Sequence, residues 1–268
     1  MKDTTNSRRK FLSSALIAGG VGAIAPASLF AIDNKLTAEL PFEPERPKIL
    51  FFDVNETLLD LNDMKASVSK ALNNRTDLLP LWFTTMLQYS LVSTVASQYH
   101  DFGAVGAAAL LMVARNNTIP LTDAQAKEAI KPILSLPPHK EVEQALLKLK
   151  KSGFTMVSFT NSSNKAVQAQ LDNAKLSNLF DARLSIEDLG KFKPHADAYS
   201  WAARKMGVKP GDCMLIAAHG WDVAGAQWAG WRTAFISRPG QQLYPLADAS
   251  EINVADLILL ADKLVVMK

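Results

Sequence analysis

Asp53 ends a continuous apolar run, Lys48-Ile49-Leu50-Phe51-Phe52, and Asn55 and Thr57 follow within four residues. An ordinary aspartate has a pKa of about 3.9 and is ionised at neutral pH. Such a carboxylate needs no base to become a nucleophile. Three other apolar runs also lead into polar groups. Residues 154–160 end in Thr160 with Asn161 and Ser162 behind it, a loop after 182–186 carries Lys193-Pro194, and 213–218 leads into His219 and Asp222. In open parallel sheets ligands bind beyond the carboxyl ends of the strands. If these runs are strands, one carboxylate, one amide, one ammonium and a second carboxylate converge on one edge.

The runs fit that requirement. Continuous rather than alternating apolarity suits central parallel strands covered on both faces. A further run lies at 233–237, and helical patterns at 141–151, 164–174, 196–206 and 222–229 separate the runs. Strands alternating with helices predict an α/β fold, a Rossmann-like parallel sheet. Residues 62–136 break the rhythm with helical periods and no strand. There Leu87, Leu91, Val95 and Tyr99 recur at steps of four and predict one buried helix face, and 104–113 is apolar nearly all round. Thr122 is placed to N-cap a helix running to Leu134, and Pro137-Pro138 ends the segment. Residues 254–268 suit either a last strand or a last helix. The expected organisation is an α/β core of 48–61 and 137–268 with an all-helical insertion at 62–136.

Phe52-Asp53-Val54-Asn55-Glu56-Thr57-Leu58 resembles the first motif of the haloacid dehalogenase superfamily. Phe159-Thr160-Asn161 is similar to the second motif, Lys193 to the third and the Asp222 region to the fourth. Lys193-Pro194 with Tyr199, and Trp221-Asp222-Val223-Ala224-Gly225-Ala226, resemble the type II L-2-haloacid dehalogenases. That resemblance implies a helical cap over the site. It also implies attack of Asp53 on C2 of a 2-halocarboxylate, loss of halide and hydrolysis of an aspartyl ester. Lys193 would hold Asp53 ionised by opposite charge. Thr57, Thr160 and Asn161 would donate to the Asp53 carboxylate or to the departing halide, Asn55 and Tyr199 would join them in binding substrate, and Asp222 with His219 would position or deprotonate water. No cofactor is implied. The alternative is a magnesium-dependent phosphatase of the same superfamily, which would place an acid where Asn55 stands; an amide does not exchange protons in that way. A capped binding protein without turnover is a third reading. Leu81-Trp82-Phe83-Thr84-Thr85-Met86-Leu87-Gln88-Tyr89 matches the dehalogenase stretch in which an arginine assists the halide, but here the position is Phe83. Ala217 and His219 replace a serine and an asparagine of the fourth motif, and Arg115 is a candidate for the missing charge.

The chain has 268 residues, 48% of them hydrophobic, which is enough for a sizeable core. Its net charge of +3 resides entirely in Lys2, Arg8, Arg9 and Lys10 against Asp3, so no basic nucleic-acid face is implied. Residues 1–31 resemble a twin-arginine export signal: Ser7-Arg8-Arg9-Lys10-Phe11-Leu12, an apolar stretch, then small residues suiting cleavage after Ala27 or Ala31. Residues 32–47 read as a linker. The expected location is the periplasm. The expected partners are the export machinery, a small-molecule substrate and, by analogy with similar enzymes, a second copy of the chain. Cys213, the only cysteine, predicts a buried structural thiol rather than a disulfide. His100, His139 and His195 are expected in solvent, and Trp221, Trp228 and Trp231 in the core or at a dimer contact.

Overall fold

Six strands form one parallel sheet in the computed structural model, which describes residues 45–268. The expected export signal and all but the end of the linker lie outside the described residues. The strands are β1 (Ile49–Phe52), β2 (Thr155–Thr160), β3 (Ala182–Ser185), β4 (Cys213–Ala217), β5 (Arg232–Ile236) and β6 (Ile252–Val254), in the order β3-β2-β1-β4-β5-β6. From β1 the chain winds outward first through β2 and β3, then through β4, β5 and β6. The reversal leaves a crevice at the carboxyl end of β1, where ligands of such sheets bind. Phe52 pairs with Ser158 on one side and Ile216 on the other, so the next residue, Asp53, is delivered to that crevice. Its backbone N–H donates to the Ile216 carbonyl at 3.0 Å and fixes the carboxylate's point of departure.

Side chains of a strand alternate between faces. Leu50 and Phe52 join one apolar cluster, and Ile49 and Phe51 join another. Helices α1 (Asn62–Ala71), α2 (Leu79–Val95), α3 (Phe102–Asn116) and α4 (Asp123–Ile130) lie between β1 and β2, followed by α5 (Val142–Lys151). The remaining helices are α6 (Asn164–Asn173), α7 (Ala196–Lys205), α8 (Gly220–Trp228) and α9 (Leu257–Leu264). Leu146 and Leu149 of α5, Val167 and Leu171 of α6, and Leu257 and Leu260 of α9 cover the first face. Ala198, Tyr199 and Ala202 of α7 and Val223 and Ala226 of α8 cover the second. Met64, Trp82 and Leu110 of the inserted helices share the first cluster, so the insertion's core is continuous with that face.

Thr122 caps α4 as expected: Gln125 N–H donates to its hydroxyl, and its own N–H donates to the Gln125 side chain. The helix stops at Ile130 and gives way to a tighter turn over Lys131–Leu134, because Pro132 lacks the N–H that an α-helix requires. Of the two expectations for 254–268, the helix is the one formed, as α9, and the short strand β6 ends where that range begins. The buried face of α2 differs from the one expected. Trp82, Met86, Ser90 and Thr94 point inward, Val95 is 85% exposed, and Tyr99 lies beyond the helix end. Because α2 is apolar nearly all round, a row of apolar residues does not identify its inner face. Close approach does. The Met86 sulfur lies where a Cβ on Gly106 would be only 3.0 Å away, Trp82 Nε1 donates to the Gly106 carbonyl, and the Thr94 hydroxyl accepts from Phe192 N–H. Cys213 is fully buried, and burial pushes its thiol up to about 12.

Gly225 sits where α8 meets the Lys193-Pro194 loop and α7. A Cβ there would come within 2.4 Å of Pro194 Cβ and 2.7 Å of the Tyr199 hydroxyl. Gly225→Ala is expected to lower stability by about 1–3 kcal/mol, as overpacking does. Urea unfolding checks this; an unchanged midpoint would mean that the three elements are not packed this closely.

Candidate active site

Thr57 and Asp53 lie on one turn after β1. The Thr57 hydroxyl donates to Asp53 Oδ2 at 2.8 Å and accepts from Ala218 N–H at 2.9 Å, so the nucleophile's rotamer is tied to the end of β4. Lys193 Nζ donates to Asp53 Oδ1 at 3.1 Å, to Asp222 Oδ2 at 2.5 Å and to the Phe159 carbonyl at 3.0 Å. Three donors meet three acceptors in a fully buried pocket. Asn161 clamps the Lys193 backbone: its Oδ1 accepts from Lys193 N–H at 2.9 Å, and its Nδ2 donates to the Lys193 carbonyl at 3.3 Å. Tyr199 donates to Asp222 Oδ1 at 2.6 Å, so both oxygens of Asp222 are engaged.

The electrostatics separate the two carboxylates. Burial alone would raise Asp53, but the Lys193 ammonium, His219 and Thr57 more than offset it and hold the group far below the usual carboxylate range. Burial pushes Asp222 up against the pull of Lys193. The negative charge is therefore most secure on Asp53. Burial would lower Lys193, but Asp222 and Asp53 keep its ammonium raised above the ordinary value. His219 is also buried, yet contacts with Asp53 and Glu56 raise it to about 9. Its Nε2 lies 3.0 Å from Glu56 Oε2, its Nδ1 lies 3.4 Å from Asp53 Oδ2, and its ring stacks with those of Phe83 and Trp221.

A cavity of about 450 Å³ opens over Asp53. Of the expected site residues, Asp53, Asn55, Thr160, Asn161, His219 and Phe83 line it. Lys193, Asp222, Thr57 and Tyr199 are fully buried and are not part of that lining. The Thr57 hydroxyl donates to the Asp53 carboxylate, one of the two partners expected of it, whereas the Tyr199 hydroxyl, expected toward substrate, is held by Asp222. The structure does not bring Asp222 and His219 together as the expected pair: Lys193 and Tyr199 enclose Asp222, while His219 faces the cavity. Thr160 accepts from Ser162 N–H, and Asn55 bridges Ser162 and Gln170, so their contribution to the wall is constrained. Arg115 is exposed at the end of α3 and does not line the cavity; Lys127, Lys131 and Lys165 do.

Four participants were not anticipated. Glu56 sits inside the first motif, but a glutamate in a turn gives no sign of burial. Trp221 was expected in the core or at a dimer contact and instead forms cavity wall. Of the other two tryptophans so expected, Trp231 is buried, which fits the core reading, and Trp228 is exposed. His139 is half-buried rather than solvated, with Nε2 2.9 Å from the Glu56 carbonyl. Arg238, nearly buried, donates to the Thr57 carbonyl at 2.9 Å and pairs with Glu141.

With this geometry, comparison with known proteins is direct. The family of haloacid dehalogenase-like hydrolases matches residues 47–230. The chain belongs to that family. It is 28% identical over 190 residues to (S)-2-haloacid dehalogenase 4A of Burkholderia cepacia, covering 70% of this chain and 82% of the relative. It is 24% identical over 204 residues to haloacetate dehalogenase H-2 of a Moraxella species, covering 76% and 91%. Among solved structures, the L-2-haloacid dehalogenase of Xanthobacter autotrophicus with chloropropionic acid covalently bound superposes with a TM-score of 0.76 at 23% identity. That superposition covers 82% of this chain and 99% of that one, and it establishes the shared fold.

In this family member the buried ammonium can be tested by removal. Lys193→Met leaves two carboxylates side by side without their cation, a change expected to cost about 3–5 kcal/mol at pH 8. Their folded pKa values then rise above the unfolded ones, so the groups destabilise increasingly as pH rises. The deficit against wild type is expected to be smaller at pH 5 than at pH 8 in urea unfolding. Equal deficits would show that Lys193 contributes packing rather than charge.

Proposed function

We propose that the protein hydrolyses the carbon–halogen bond of short 2-halocarboxylates through an ester on Asp53. The observation that carries this reading is Asp53 itself: an ionised carboxylate held by Lys193 and Thr57 at the base of a largely apolar cavity. Asp53 Oδ attacks C2, and the carbon–halogen bond breaks with its electron pair leaving on the halide. Water then adds to Cγ of the ester. The bond between Cγ and the Asp53 oxygen now joined to C2 breaks, that oxygen leaves as the hydroxyl of a 2-hydroxycarboxylate, and the water oxygen remains in the regenerated Asp53 carboxylate. Asn161 and Ser162, with the lysines on the cavity wall, provide donors and positive charge for an anionic substrate. The (S)-2-haloacid dehalogenases to which the chain is similar support the substrate class.

The magnesium-dependent phosphatase reading fits the donor set poorly. A magnesium ion favours oxygen ligands in near-octahedral geometry. Here Asp222 is engaged by Lys193 and Tyr199, Asn55 stands two residues after Asp53, and two cationic groups already flank Asp53. Among the described residues, no group of three or more His, Cys, Asp or Glu is placed to hold a metal ion.

The ester route makes a specific isotopic prediction. After multiple turnovers of 2-chloropropionate in heavy-oxygen water, mass spectrometry is expected to find the label in the Asp53 carboxylate. Asp53→Asn is expected to abolish chloride release. Label confined to the product, with an unlabelled Asp53, would reject the covalent route.

A further inference from the structure

Hydrolysis of an Asp53 ester needs a group that accepts a proton from water beside Cγ. Given the ester reading above, on which the inference rests, one residue must supply that base. Asp222 does not fit, because both its oxygens are engaged and it is absent from the cavity wall. His219 is on the wall. Its Nδ1 lies 3.4 Å from Asp53 Oδ2 and makes no hydrogen bond. Its Nε2 is anchored 3.0 Å from Glu56 Oε2.

Glu56 is held for this contact. Its backbone has φ 64°, in the left-handed region that a side-chain-bearing residue adopts only at a cost in strain. Its carboxylate accepts from Lys65 Nζ at 3.0 Å and from Gln241 Nε2 at 2.8 Å, and its carbonyl meets His139. Phe83 of α2 and Trp221 of α8 both stack on the His219 ring. A carboxylate, an oriented imidazole and the reacting carboxyl therefore follow one another in space, the arrangement that makes an imidazole an effective base.

The geometry points to His219 as the catalytic base of ester hydrolysis, with Glu56 as its positioning residue. Nδ1 removes a proton from water as the water oxygen bonds to Cγ of the Asp53 ester, and Glu56 retains the proton on Nε2. The tetrahedral carbon expels the former Asp53 oxygen bonded to C2, which takes the proton back from Nδ1. The acid proton left on Asp53 then passes to His219. Over the whole cycle one halide and one proton are released.

The nucleophile's own alkylation prepares the base. In the free enzyme two carboxylates face His219, Asp53 from the end of β1 and Glu56 from the following turn. Lys193 lies on the far oxygen of Asp53, Lys65 of α1 on Glu56, and the flanking rings carry no charge. Those carboxylates keep the imidazole protonated, at a pKa of about 9. Ester formation removes the charge on Asp53, so His219 releases its proton when a base is needed.

Single turnover of full-length enzyme with 2-bromopropionate, followed by intact mass measurement and a bromide assay, separates the two half-reactions. His219→Gln is expected to release bromide once and retain the carboxyalkyl group on Asp53, with ester hydrolysis slowed on the order of 10²- to 10⁴-fold. Glu56→Gln is expected to slow the same step, with a smaller loss, and it carries the test should His219→Gln fail to fold. A merely structural role would not slow ester hydrolysis while leaving alkylation prompt, and the charge coupling has its own readout: by NMR, the His219 ring of Asp53→Asn is expected to titrate below its wild-type value. Prompt alkylation with undiminished ester hydrolysis in both variants would overturn the dyad alone. Wild-type enzyme whose Asp53 never acquires the group, and which releases no bromide, would overturn the dehalogenase reading and the dyad with it.

Discussion

A fully buried ammonium between two buried carboxylates is the constraint around which this protein is arranged. Removing such charges from water costs several kcal/mol per ion, and the cost is offset only when every donor and acceptor is matched. Lys193 meets that condition with Asp53, Asp222 and the Phe159 carbonyl. The surrounding residues fix those partners. Asn161 pins the Lys193 backbone, Tyr199 takes the second oxygen of Asp222, and Thr57 takes the second oxygen of Asp53. Gly225 keeps α8 close enough to α7 for Tyr199 to reach. Sheet register then places the assembled group at the crevice beside β1.

Above that buried cluster, the inserted helices and core loops provide a different environment. The cavity is mostly apolar, so the charges that do face it interact strongly. Phe83 occupies the position where the resemblance to the dehalogenases implies an arginine. The positive charge beside Asp53 comes instead from the core side, on His219, whose ring Phe83 covers. One aromatic ring on the insertion and one on α8 thus hold the single imidazole in the orientation its carboxylate partners require.

Much of this was legible in the sequence because it depends on local pattern. Five of the six strands follow from continuous apolar runs, and Asp53, Asn161, Lys193 and Asp222 follow from asking what ends those runs. The short β6 was obscured because 252–264 changes from strand to helix within a few residues. What the pattern did not contain was direction. The inner face of α2 depends on where Gly106 permits close approach, and that choice belongs to α3 as much as to α2. Tyr199 and Thr57 were recognised as polar residues near the site, but whether a hydroxyl meets substrate or another side chain depends on tertiary packing. Glu56 was hidden for the same reason: its burial follows from a left-handed turn and from partners on α1 and on the loops around His219 and Gln241.

The central claim is that Lys193 and its neighbours keep Asp53 charged while Asp222 serves behind it. A carboxyl ¹³C NMR titration of the aspartate-labelled enzyme, with Asp53→Asn used to assign the resonance, tests this most directly. The account predicts that the Asp53 signal remains that of an ionised carboxylate from pH 8 down to at least pH 3. An Asp53 carboxyl that takes up a proton near pH 4, as an ordinary aspartate does, would contradict it.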